Sequence, residues 1–436
     1  MHDTVHIIGA GLAGCEAAYQ IAKRGTKVKL YEMKPVKFSA AHTSNDFAEL
    51  VCSNSLKSNS ITNACGLLKE EMRLLDSLII KAADMFKVPA GSALAVDRDK
   101  FSGYITEQIL NNENIEIING EITEFNDSEP TIIATGPLTS DGLITFINKL
   151  GIEKINFYDA AAPIVEKESI DMDIVYYAAR YDKGDPDYIN CPMDEMQYNA
   201  FYNELINAKT APLHEFESVN VFEGCMPVEV MAKRGPKTLL FGPLRPVGLI
   251  DKRTNKRAYA VVQLRQDDLP GSLYNIVGFQ TNLTFSEQKR VFRMIPGLEN
   301  AEFARYGVMH RNTYINGPKT LNTDFSMKEK PNIYFAGQIT GVEGYVESAA
   351  SGLLAGINMQ RRLNDKHSIT LDNKTMLGAL SNYVGSYAGS DYQPMNSNFG
   401  IIEPLPEHIR DKKLRYEKLA QRSIENIKEL IKREID

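Results

Sequence analysis

The apolar positions of this chain fall into two textures. In the first, short unbroken apolar runs alternate with helical stretches. Val5 to Ile8 form a β-branched run of the kind a strand buried in a parallel sheet requires. A helical stretch follows through Ala22 and ends at Gly25, and Lys27 to Tyr31 reads as a second strand finishing on Glu32. "TIIATGP" (Thr131 to Pro137) is a further buried strand ending in a Gly turn, and a late stretch from Asn332 gives a strand, Gly337, a Gly-rich connection and a small-residue helix, Ser348 to Ile357. Between these, Leu67, Leu68, Met72, Leu75, Leu78 and Ile79 recur at helical spacing, which predicts one amphipathic helix over 66–86. "SALAVDRDKFSGYITEQILNN" predicts a strand, a turn at Asp97-Arg98 and a helix.

The second texture begins near Asn156. Short strands and loops surround one predicted helix, Asp194 to Ala208, before the first texture returns. The expected organisation is therefore α/β. A Rossmann-type domain over 1–155 is interrupted by a smaller α+β insertion domain over 156–319, and resumes over 320–436 with a terminal helix for docking or surface use.

Chemistry enters at the first turn. Gly9, Gly11 and Gly14 form G-x-G-x-x-G with a strand before, a helix after and an acid closing the second strand. Gly9 permits the tight turn, Gly11 lets backbone approach a pyrophosphate, and Gly14 lets helix pack on strand. The helix N-terminus, with Ala10, Leu12 and Ala13, offers N–H groups to phosphate. Glu32 stands where a ribose hydroxyl donates, so FAD or NAD fits this site better than NADP. The first-strand loop, the A-T-G strand with Gly136 and the late strand-Gly-helix segment together resemble the glutathione-reductase-like FAD-binding fold. In that fold the late segment, with Gly337, Gln338, Gly341 and Gly344, meets the flavin end of the cofactor. One departure is that Gln338 stands where an acid is usual.

Composition narrows the partners. The 436 residues are 43% apolar and 24% charged with a net charge of -7, so any contact with nucleic acid must be local. No apolar run reaches the roughly 18 residues that a bilayer needs, so no membrane contact is expected. The motif at Gly9 leaves no room for a signal peptide, an expectation of a cytoplasmic protein. Five cysteines at 15, 52, 65, 191 and 225 show no C-x-x-C spacing and no accompanying His cluster, so neither a metal site nor a disulfide scaffold is expected. From 231 to 311, by contrast, 14 basic residues face six acidic ones. Such a run is either a solvated face or a phosphate-binding surface, and Lys233, Arg234, Lys237, Arg245 and Arg253 are the candidates for RNA contact. The run begins beside Cys225, which is either a nucleophile or a packed thiol.

Longer motifs then match a family. "ELVCSNSLKS" (49–58), "FEGCMPVE" (222–229), "FGPLRPVGL" (241–249), "AGQITGVEGYVESAASG" (336–352) and "QPMNSNFG" (393–400) resemble the folate- and FAD-dependent tRNA uracil-5-methyltransferases, small Gid-type flavoproteins. The resemblance covers essentially the whole chain. It implies FAD, 5,10-methylenetetrahydrofolate as carbon donor, NADPH or NADH as reductant, and a T-loop uridine of tRNA as substrate. It places the nucleophile on Cys225 and a second thiol near the flavin on Cys52. A thiolate adds to C6 of uracil and so gives C5 the electron density to attack an electrophilic methylene. Glu223 and Glu229 stand close to Cys225 in sequence and work against its ionisation. Paralogues act on 23S rRNA, and the motifs leave tRNA and rRNA both open. A general FAD disulfide reductase, needing paired cysteines, and a non-modifying RNA scaffold are the other readings.

Overall fold

The computed structural model describes residues 4–39, 41–182, 184–212, 226–390 and 392–435. Five parallel strands lie in the order Ile333–Phe335, Thr131–Ile133, Thr4–Ile8, Lys27–Glu32 and Ile115–Asn119. The first strand is central, with Ile8 opposite Tyr31 on one side and Ile133 on the other. The chain moves outward from it in both directions, so a crevice opens beyond the carboxyl ends of the central strands, where ligands of doubly wound sheets bind.

Two helices close this sheet on a seam of small residues. Leu12–Ala22 packs along Tyr345–Leu363, which is longer than the helix predicted over 348–357. A methyl group at Gly352 would lie 2.2 Å from the carbonyl oxygen of Ala13, and one at Gly356 2.8 Å from that of Ala17. Backbones in such contact leave no space for a larger residue. One buried core joins Val5, Leu30, Ile132 and Leu353 to Leu419 and Ile427 of the terminal helix Lys412–Leu430.

The helix predicted over 66–86 is two helices, Ala64–Leu74 and Leu78–Met85. Asp76 takes a left-handed φ of 57°, and the Ser77 hydroxyl accepts the Ile80 N–H at 3.2 Å as an N-cap. Glu16 completes the break by accepting from the Ser77 hydroxyl at 2.7 Å and from the Ile79 N–H at 3.0 Å. The apolar spacing ran through the break because both helices bury the same face; the Asp-Ser pair was the signal of a new N-terminus.

The second texture forms its own antiparallel sheet of six strands, in the order Tyr176–Tyr177, Tyr188–Met193, Ala260–Gln266, Leu273–Ile276, Ile164–Glu166 and Phe303–Arg305. The chain enters and leaves it through the antiparallel pair Lys154–Ala160 and Met309–Ile315. A separate core of Val165, Ile189, Phe201, Leu264, Phe279 and Phe292 underlies this sheet. The expectation of one helix here is corrected. Besides Glu195–Asn207, capped by Asp194 and Gln197, there are Val228–Lys233, Thr238–Phe241 and Phe285–Phe292. Two of the three additional helices span at most six residues, too short for periodicity to register. Among the described residues no helix is long and apolar enough to cross a membrane.

Candidate cofactor cleft and basic segment

At the carboxyl end of the first strand, Gly9 turns with φ 101°, and its N–H donates to the Tyr31 carbonyl at 2.8 Å. Gly14 lies so close beneath that a methyl group there would stand 1.8 Å from the Gly9 carbonyl oxygen. A methyl group at Gly11, by contrast, would meet nothing within 4 Å. Gly14 therefore packs the loop, while the space over Gly11 stays open for a ligand. Glu32 is buried, and its carboxylate accepts the Ala10 N–H at 2.8 Å and the Lys34 N–H at 3.0 Å. Those bonds pin the acid beside the glycine loop and leave a lone pair on each oxygen.

A cleft of about 1150 Å³, open mouth included, runs from here. Gly9 to Ala13, Glu32, Gly136, Gly337 and Gln338 line it, together with His42, Glu49, Thr135, Thr139 and Tyr345. Gly14, Gly341 and Gly344 lie off its wall. Gly341, at φ 93°, lies against the Tyr392 hydroxyl, and Gly344 precedes the late helix with the Glu347 carboxylate against it. The acid missing at Gln338 stands one contact behind it, since the Gln338 amide donates to the Glu343 carboxylate at 2.5 Å. An opening over Gly11, a helix N-terminus and a pinned acid are the parts that a dinucleotide requires, so the residues fit FAD.

Val51 and Tyr345 on the cleft wall adjoin the segment of Cys52. Tyr345, first residue of the late helix, accepts the Cys52 N–H at 2.7 Å and the Ser53 N–H at 3.2 Å through its hydroxyl. The Cys52 thiol is half-buried, 3.7 Å from the Ala160 carbonyl oxygen. Two arginines hold the same segment from opposite sides. Arg98 donates to the Leu50 carbonyl at 2.5 Å and pairs with both oxygens of Asp267 at 2.9 and 3.1 Å. Arg265 donates to the Ser53 hydroxyl at 2.7 Å and to the Asn54 side chain at 3.2 Å. Burial pushes the Tyr345 phenol well up, the neighbouring Cys52 adds to this, and Arg98 opposes it, so the hydroxyl stays protonated. Sequence reading missed Tyr345, Arg98, Arg265 and Asp267; "GYVESAASG" and "DRDK" carry no spacing that joins them to Cys52.

The other thiols differ from Cys52. Cys15 and Cys191 are buried, and burial drives both pKa values well up. Cys65 is pushed up to about 11 by burial first, then by Glu347, with Lys69 working against the shift. Cys225, together with Glu223, lies outside the described residues. Glu229 turns inward and accepts from the Thr281 hydroxyl and the Asn282 N–H, both at 2.8 Å.

Of the basic candidates, Lys233, Arg234, Lys237 and Arg245 are exposed on the segment 228–250. Arg253 is exposed as well, but it is tied to its own loop. Its guanidinium clasps the Asp251 carboxylate at 3.0 Å and donates to the Asp173 and Ile174 carbonyls at 2.9 Å. Most of its donors are engaged by the loop, which fixes the guanidinium in one place.

Comparison with known proteins agrees with this geometry. The model of the family Glucose inhibited division protein A matches residues 4–367. A methylenetetrahydrofolate–tRNA-(uracil-5-)-methyltransferase TrmFO of Listeria innocua serovar 6a is 59% identical over 431 residues, 99% of each chain. One of Acetivibrio thermocellus is 60% identical over 432 residues, again 99% of each. Among solved structures, Aquifex aeolicus GidA in its form II crystal superposes with a TM-score of 0.71 at 18% identity, covering 98% of this chain and 73% of that one. That likeness shows the interrupted FAD-binding fold. This chain belongs to the Glucose inhibited division protein A family and groups, over its full length, with the methyltransferases of that family.

Proposed function

We propose that this protein methylates C5 of a uridine in tRNA, taking the carbon from 5,10-methylenetetrahydrofolate and the electrons from NADPH or NADH through bound FAD. The observation that carries this reading is 59–60% identity, across 99% of the chain, to enzymes named for that reaction. The cleft supports it with a dinucleotide site whose wall includes Val51 and Tyr345, the two residues that flank and bond the half-buried Cys52.

The backbone of Ala10 to Ala13 receives the pyrophosphate at the helix N-terminus, and Glu32 accepts from the adenosine ribose. Gly337 and Gln338, backed by Glu343, receive the flavin end. Bound FAD supplies the hydride that takes the transferred carbon from the formaldehyde to the methyl level. Cys225 adds its thiolate to uracil C6, so that C5 becomes nucleophilic toward the methylene. Loss of the C5 proton and expulsion of the thiol then restore the aromatic ring. Tyr345, Arg98 and Arg265 hold Cys52 at the flavin end of the cleft. Lys233, Arg234, Lys237 and Arg245 offer charge to the RNA backbone. The insertion domain that carries them is taken to span 156–319, and a cytoplasmic location is the reading consistent with an RNA substrate and unpaired thiols.

Incubation with labelled methylenetetrahydrofolate, NADPH or NADH, and separate tRNA and 23S rRNA transcripts tests the reading. Label in 5-methyluridine of tRNA is expected. Label in rRNA alone would move the substrate, and a methyl group traced to S-adenosylmethionine would overturn the chemistry.

A further inference from the structure

The basic segment 228–250 and the loop at Tyr181 that packs on it carry two exposed aromatic residues that the charge pattern did not single out. Phe241 ends the short helix Thr238–Phe241 and is 81% exposed, an unusual position for a phenylalanine. Tyr181 is 55% exposed and sits at φ 60°, ψ 25°, a conformation that bulky residues avoid unless their surroundings impose it.

What imposes it is the loop after Phe241. The Tyr181 N–H donates to the Gly248 carbonyl at 2.6 Å, and its ring lies so close over Gly248 that a methyl group there would stand 2.8 Å from it. The adjacent Arg180 bridges the carbonyls of Arg245, at 3.1 Å, and Val247, and the Gln263 side chain at 3.0 Å. Arg245 itself closes a turn back to Gly242, the residue after Phe241. The two rings thus belong to one braced loop system, with Arg245 between them in the chain of contacts. Among the described residues, the Lys237 and Arg245 side chains have no ion-pair partner, and the Arg180 and Arg245 charges repel. Exposed ring faces set among uncompensated cations match unpaired nucleotides, whose bases stack while their phosphates are neutralised.

We propose that Phe241 and Tyr181 are stacking platforms for unpaired bases of the substrate RNA, with Lys237 and Arg245 on the flanking phosphates; this rests on the RNA-methyltransferase reading above. The RNA is recognised here through an open loop, and a continuous duplex gains nothing from the rings.

The test uses the full-length protein and two RNA probes, a stem-loop with an unpaired uridine-containing loop and a blunt duplex of the same stem. Phe241→Ala should weaken stem-loop binding by roughly tenfold or more, leave duplex binding and the salt slope as they are, and keep the melting temperature and FAD absorbance. Phe241→Tyr should restore affinity, and Arg245→Ala should instead lower the salt slope by about 1 on both probes. Phe241→Ala and Tyr181→Gly variants that bind the stem-loop as the unaltered protein does would overturn the proposal. Equal losses on both probes would overturn it as well, pointing to a general electrostatic surface. Failure of the unaltered protein to methylate any RNA would instead sink the functional reading itself.

Discussion

The hydroxyl of Tyr345 accepts the backbone N–H of Cys52 at 2.7 Å, joining residues 293 positions apart. The same oxygen takes the Ser53 N–H, so one phenol satisfies two backbone donors at the end of the cofactor cleft. Tyr345→Phe removes that acceptor and keeps the ring. We expect a loss of about 1–3 kcal/mol, faster alkylation of Cys52 by iodoacetamide, and slower methylation with FAD retained. An alkylation rate equal to that of the unaltered protein would show that the hydroxyl does not position the segment.

Arg98 and Asp267 form a two-pronged pair whose side chains are 13% and 4% exposed. Breaking such a pair from one side strands a buried charge, so Asp267→Ala should destabilise by about 3–5 kcal/mol in urea unfolding. Arg98→Met with Asp267→Leu removes both charges and should be the milder change. A double variant as unstable as the single one would mean that the hydrogen bond from Arg98 to Leu50, and not the pairing, carries the stability.

Gly11 and Gly14 separate cofactor binding from folding. At Gly11 a methyl group enters open space, so Gly11→Ala should purify without yellow colour and melt where the unaltered protein melts once stripped of FAD. At Gly14 the methyl group collides with the Gly9 carbonyl, so Gly14→Ala should lose stability together with FAD. Normal flavin absorbance in Gly11→Ala would move the pyrophosphate away from this loop.

Glu71 is a pH-sensitive anchor for the terminal helix. Its carboxyl is fully buried, accepts the Met376 and Leu377 N–H groups at 2.7 Å and is bonded by the Ser423 hydroxyl. Burial pushes its pKa up to about 7, with Ser423 and the two amides pulling the other way. The folded state therefore holds this proton more tightly than the unfolded chain does. The resulting stability is fully present below about pH 4.5 and is lost as pH rises through about 7. Between pH 5 and 8, Glu71→Gln should make the decline in unfolding free energy shallower by about 2–3 kcal/mol. Parallel profiles for the two proteins would place the Glu71 pKa in the ordinary carboxylate range.

The glycine loop, the strands on either side of it and Glu32 were legible in the sequence. Their geometry is set within thirty residues of chain, by where a residue without Cβ is required and where apolar residues run unbroken. The thiol at Cys52 was legible only by resemblance, and the groups that hold it were not legible at all. Tyr345, Arg98 and Arg265 reach it from strands and helices that the sheet order brings together, and no local spacing encodes that order. The break at Asp76 was hidden because two helices burying one face share a single apolar period.

The basic run makes the same division plain. Sequence alone determined that positive charge concentrates after Cys225, because charge count needs no fold. Only the tertiary structure decided which cations are tied to carboxylates and carbonyls. Arg245 points to solvent, whereas Arg253 closes on Asp251 and the carbonyls of Asp173 and Ile174. An arginine near a folded-back loop satisfies the nearest carboxylate and carbonyl oxygens, and those neighbours exist only once residues 173 and 251 have met in space.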